Sequence, residues 1–216
     1  MPITAEPRTE WGVYGEYGAD KSPANKHGGL ALADAIEEAI RDQVLRGGVK
    51  SPPSSRRGLA GRLNYLNSPA GRHMLRDNGI TQTKDTIRRW RTGRQIPRAD
   101  DLQRIDDAFW LLRDRNVRRN LNWLRRRGES GDIALEIYPV DQSSVIHTRR
   151  RNIPDVGTSD EVREKKISPG QWTAAVDAFE NGDEQGLRDT WEHIISDIDS
   201  DWRSYIYVSH VGLIGA

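Results

Sequence analysis

The amino-acid sequence predicts a mainly α-helical protein: a helix-turn-helix domain followed by a small α+β module of β-loop-α-α-β order. Three observations predict it. Over residues 30–45, and again from Leu59 to about Arg127, apolar side chains recur every three or four positions, the period of a helix with one buried face. Within that stretch, "GITQTKDTIRRWRTGRQIP" sets a short basic segment between a glycine and a glycine-to-proline stop. After Gly128 the period falls to two in "DIALEIYPV" and again in "SYIYVSHVGLI", the alternation of half-buried strands.

The elements follow in order. Residues 1–27, rich in glycine, proline and charge, read as a flexible N-terminal arm. "LALADAIEEAIRDQVL" (30–45) spaces Leu32, Ile36, Ile40 and Val44 one turn apart, and Gly47-Gly48 stops that helix. "SPPSSRRG" (51–58) reads as a linker. Leu59, Leu63 and Leu66 form the stripe of a second helix. Ser68-Pro69 pairs an N-cap with a proline at the first helical position and opens a short helix that ends at Asn78-Gly79. Thr81 or Thr83 caps the next helix, which buries Ile87 and Trp90 and ends at Gly93. Leu102, Ile105, Phe109 and Leu112 mark another helix after Pro97, with an extension towards Leu121 and Leu124. This helical DNA-binding domain spans 28–128. The module at 129–216 holds a strand at 132–140, a loop over 141–160, helices at 168–182 and 183–199, and a final strand at 204–214. Ser168, Pro169 and Gln171 make a capping box at the first of these helices.

Composition limits what the chain does. It has 216 residues, 35% hydrophobic and 30% charged, and no cysteine, which excludes disulfides and thiolate metal sites. No segment approaches the roughly 20 apolar residues of a membrane span, and no secretory signal opens the chain, so the expected setting is the cytoplasm, at the nucleoid. No glycine-rich phosphate loop and no His spacing of metal-binding type occurs, so no cofactor is expected. The net charge of +1 hides a strong asymmetry. Residues 56–128 carry 19 Lys and Arg against 7 Asp and Glu, whereas residues 152–216 carry 5 against 13. A basic middle and an acidic C-terminal part call for different partners.

The basic segment has the parts of a helix-turn-helix: Ala70–Asn78, the turn at Gly79, and Thr83–Thr92 as the helix that enters a groove. Ile87 and Trp90 anchor it to the core, leaving its polar residues outward. Arginine pairs with guanine through two hydrogen bonds and glutamine with adenine, so Gln82, Thr83, Thr86 and Arg89 are the candidates for base contact. Lys84, Arg88, Arg91 and Arg94 are the candidates for phosphate contact. The same residues also fit a helical hairpin with a solvated basic face. The clusters at Arg118-Arg119 and Arg125-Arg126-Arg127 either extend the DNA footprint or cover a helix surface.

In the acidic half, "VGTSDE" (156–161) places Thr158 and Ser159 beside a flexible glycine and two carboxylates. By residue type alone it is also an ordinary helix-capping sequence. "LNYLNS", then "GITQTKDTIRRWRTGRQIPRADDLQRI", then "VGTSDEVREKKISPGQW" succeed one another from about Leu59 to the end. In that order and spacing the chain resembles the Tpg-type telomere terminal proteins of linear actinomycete replicons. The resemblance implies protein priming, in which a side-chain hydroxyl accepts the first nucleotide from a DNA polymerase and stays joined to the 5′ end. The chain is then a primer substrate rather than a self-contained enzyme. The family's linked residue is a threonine at the second hydroxyl position of the loop. That position is Ser159 here, with Thr158 before it, so both hydroxyls are candidates. The implied partners are DNA, as duplex or as a telomeric 3′ overhang, a DNA polymerase and a telomere-associated protein. The rival reading is a transcriptional repressor or partition adaptor of a plasmid or phage, forming a homodimer through the C-terminal module.

Overall fold

The computed structural model describes residues 25–129, 131–140, 162–198 and 205–214. Among these the chain is mainly helical, with eight helices and a small amount of sheet. No helix of the described residues is long and apolar enough to cross a membrane. The contacts divide the chain into two compact units: Ile40–Asn120, and the residues up to Ala39 together with those from Leu121 onward.

The first helix, α1 (Gly28–Arg46), contributes to both units. The division by contacts therefore falls inside this helix, after Ala39, and again after Asn120. The reason lies in α1 itself: Ala31, Leu32, Ala33, Ala35, Ile36 and Ala39 are all buried, so its N-terminal half is apolar around most of its circumference.

In the unit Ile40–Asn120, four helices follow the end of α1: α2 (Arg56–Tyr65), α3 (Pro69–Asp77), α4 (Lys84–Thr92) and α5 (Ala99–Arg118). Ser55 caps α2 by accepting from the Gly58 amide, so the helix starts inside the stretch read as a linker. Leu59, Leu63, Leu66, Leu75, Ile80, Trp90, Ile105, Phe109 and Leu112 form one core. Here α2 packs on α4 and α5, and α3 packs on α5. Tyr65 and Trp110 meet Phe109 edge-on. Arg62 is buried; it is ion-paired with Asp106 and also donates to the Ser51 and Gly58 carbonyls.

The other unit holds β1 (Lys26–His27), the N-terminal half of α1, α6 (Asn122–Glu129), β2 (Ile133–Tyr138), β3 (Arg163–Ile167), α7 (Pro169–Asn181), α8 (Glu184–Ser196), β4 (Tyr207–Val208) and β5 (His210–Leu213). A three-stranded antiparallel sheet runs β3-β2-β5, with Ile133 opposite Ile167 and Ile137 opposite Val211. The strands β1 and β4 pair separately. Two indole N–H groups tie the helices in, Trp172 to the Leu124 carbonyl at 2.7 Å and Trp191 to the Tyr205 carbonyl at 2.9 Å.

This differs from the expected β-loop-α-α-β order. Within the final stretch, residues 205–214 do not form one strand: β4 turns to β1, β5 turns to β2, and the Ser209 amide between them donates to the Tyr138 carbonyl. The edge strand β3 is additional. Its sequence, REKKI, has one buried side chain, Ile167, so no apolar alternation announces it, and charge is what an edge strand carries to deter further pairing.

Candidate nucleic-acid interface

Local sequence fixes both ends of α4. Before it, α3 closes on Gly79 at φ +80°; the Gly79 amide donates to the Arg76 carbonyl and the Ile80 amide to the Leu75 carbonyl. This is a Schellman closure, and its usual apolar contact is supplied by Ile80 and Leu75 in the core. Thr83 then caps α4, accepting from the Thr86 amide at 3.2 Å. At the far end Gly93 sits at φ +72°, and the Arg94 amide reaches back to the Arg89 carbonyl at 2.9 Å. A residue with a Cβ at either glycine would be strained.

One side of α4 is sealed. Trp90 is 3% exposed and Ile87 packs on the same core. The opposite side, with Asp85, Arg88 and Arg89, is charged and open; Lys84 and Arg91 flank the Ile87 stripe and Arg94 follows the helix's end. Lys84, Arg88, Arg89 and Arg94 are exposed and Arg91 is half-buried. Asp85 accepts from Arg88 at 2.6 Å and is ion-paired with Arg89 at 2.7 Å. The hydrogen bond from Arg88 and then the charge of Arg89 hold the Asp85 carboxyl below its ordinary range. Among the described residues no carboxylate pairs with Lys84, Arg91 or Arg94.

The structure thus brings all eight predicted DNA-contact residues to one turn and one helix, in different states. Lys84, Arg91 and Arg94 have no carboxylate partner among the described residues; Arg88 and Arg89 are held by Asp85. Thr83 and Thr86 bond each other through their hydroxyls at 3.1 Å, and Thr83 also serves as the cap. Gln82 is half-buried and its side-chain oxygen is buried without a hydrogen-bond partner. In this conformation it does not offer the paired donor and acceptor that adenine requires. Thr158 and Ser159 lie outside the described residues.

Two further cations join the segment from elsewhere in the chain. The Arg56 side chain lies against Gly93, with Nε 3.0 Å from where a Cβ would stand. Arg104 of α5 lies against Gly79 at 3.6 Å by the same measure. Sequence spacing did not single them out, because their approach depends on how α2 and α5 pack. Other arginines are engaged internally. Arg113 donates to the Val44 and Gln43 carbonyls at the end of α1, and Arg118 pairs with Asp114. Arg125 bonds Asp177 and Glu180 of α7. For Arg118 and Arg125 this favours a structural surface over an extended footprint.

No protein-family model, no curated protein and no solved structure matches this chain.

Proposed function

We propose that the protein binds duplex DNA through α4 and the turn before it, in the manner of a helix-turn-helix. The observation that carries this is the division of α4: Ile87 and Trp90 closed into a core, Arg88 and Arg89 on the side away from it, and Lys84, Arg91 and Arg94 beside the core stripe and past the helix's end without carboxylate partners. Arg56 and Arg104 add charge beside the glycines at the two ends of the segment. Cations spread along a rigid element neutralise successive phosphates and release their counterions, so the complex weakens steeply with salt.

We further propose that the bound DNA is the end of a linear replicon and that the protein is its terminal protein. Support comes from the ordered motifs in the sequence, above all the hydroxyl pair Thr158-Ser159 in VGTSDE. One of these hydroxyl oxygens attacks the α-phosphorus of the first deoxynucleotide, pyrophosphate leaves, and a phosphodiester joins protein to DNA. The polymerase supplies the metal ions for that in-line transfer. The test is incubation of the full chain with a replicon polymerase and an α-labelled deoxynucleotide. The wild type becomes covalently labelled, and the doubly substituted Thr158→Ala, Ser159→Ala chain does not. A wild type that never labels, yet binds a palindromic duplex as a dimer, is a repressor instead.

A further inference from the structure

We propose that Asp85 is a positioning residue that sets the sequence selectivity of α4, holding Arg88 and Arg89 ready for base edges and keeping them from phosphates. The inference rests on the DNA-binding reading above. Asp85 lies at i−3 from Arg88 and i−4 from Arg89, and its two carboxylate oxygens engage one guanidinium each, at 2.6 and 2.7 Å. All three side chains remain open to solvent, with 43, 65 and 57% of their surfaces exposed. They lie on the side of the helix away from Ile87 and Trp90, where a groove would be met. Lys84, Arg91 and Arg94 carry no such partner.

The helix therefore has two kinds of cation. Open ones suit the phosphate backbone, which is continuous and the same for every sequence. Paired ones are different. A guanidinium has five N–H donors, so each arginine bound to Asp85 keeps donors for the O6 and N7 acceptors of guanine. The single carboxylate, however, cancels one of the two guanidinium charges, leaving the trio at +1 rather than +2, and it repels any phosphate that comes near. The Asp85 oxygens can also accept from a cytosine amino group. A protein selected only to hold any duplex gains stability in the first turn of α4 from a carboxylate at this place but gains nothing at the DNA surface. One that must distinguish sequences does, because the carboxylate weakens every complex that lacks matching base edges.

The test uses the full chain as wild type, Asp85→Asn and Asp85→Ala. Two duplexes are used, one of random sequence and one recovered from a random pool by repeated selection on the wild type. Affinity is measured against salt concentration, and helix content by circular dichroism confirms that the variants fold. Removing the carboxylate is expected to tighten binding to the random duplex and to lower the selected-to-random affinity ratio about tenfold. The salt slope on the random duplex is expected to steepen by about one to two as Arg88 and Arg89 reach phosphates. If the wild type binds duplex but both variants keep its ratio and its slope, Asp85 is only a helix-surface ion pair and the proposal is overturned. Selection that enriches no sequence overturns it as well. A wild type that binds no duplex at low salt overturns the DNA-binding reading itself.

Discussion

His27 is buried, 6% exposed, in a short strand pair, where its Nδ1 accepts from the Gly29 amide at 3.1 Å and its ring meets Tyr207 edge-on. Burial, followed by the nearby charge of Arg188, lowers its pKa from 6.5 to about 4; Glu184 and Asp189 oppose this only in part. The ring is therefore neutral in the folded chain. Between pH 6.5 and about 4 the unfolded chain binds a proton that the folded chain does not. Stability is thus independent of this group above pH 6.5 and falls as pH drops through that window, by roughly 3 kcal/mol in all. Urea unfolding at pH 7 and pH 4.5 measures the loss. His27→Gln, which keeps an acceptor for Gly29, is expected to remove that part of the pH dependence; a variant with the wild-type profile would contradict the assignment. None of this was legible in the sequence. His27 fell in the stretch read as an arm, and its burial follows from the pairing of Lys26–His27 with Tyr207–Val208 almost the whole chain away.

At the scale of elements, the helices were legible because their ends are local. Ser68, Thr83 and Ser168 each accept from an amide three residues on, and Gly79, Gly93 and Gly182 adopt positive φ where their helices close. Thr83 carries a consequence. Its hydroxyl holds the start of the helix that presents the cations, so Thr83→Ala is expected to lose about 1 kcal/mol of stability and Thr83→Ser to lose little. Unfolding midpoints in urea check this; an Ala variant as stable as the wild type would show that the cap contributes nothing. Strands were legible only where a face is buried. Ile133, Leu135 and Ile137 alternate inward in β2, and the sequence shows it. The charged edge strand β3 and the two-residue strand β1 depend on partners distant in sequence, and no local pattern marks them; the alternation over 204–214 covers β4 and β5 but does not show that they pair with different strands.

For the whole molecule, the charge asymmetry was plain in the sequence, but the use of each charge was not. Arg62 is paired with Asp106, 44 residues away, and Arg125 with Asp177, 52 residues away. Only the folded chain separates these structural arginines from Lys84, Arg91 and Arg94, and only the fold brings Arg56 and Arg104 to the glycines that bound α3 and α4. Arg125→Ala is thus a control: it removes a positive charge that Asp177 and Glu180 already balance, and is expected to leave duplex affinity unchanged. The measurement that tests the central claim most directly is the affinity of the full chain for a short duplex across a salt series, for the wild type, the Arg125→Ala control and the chain with Lys84, Arg91 and Arg94 all replaced by alanine. With Arg56 and Arg104 included, five phosphate contacts predict a wild-type slope of log affinity on log salt of about −4 to −5, shared by the control and shallower by about one for each residue removed in the triple variant. A wild type that ignores the duplex at low salt, or a triple variant that binds as the wild type does with the same slope, would contradict the account.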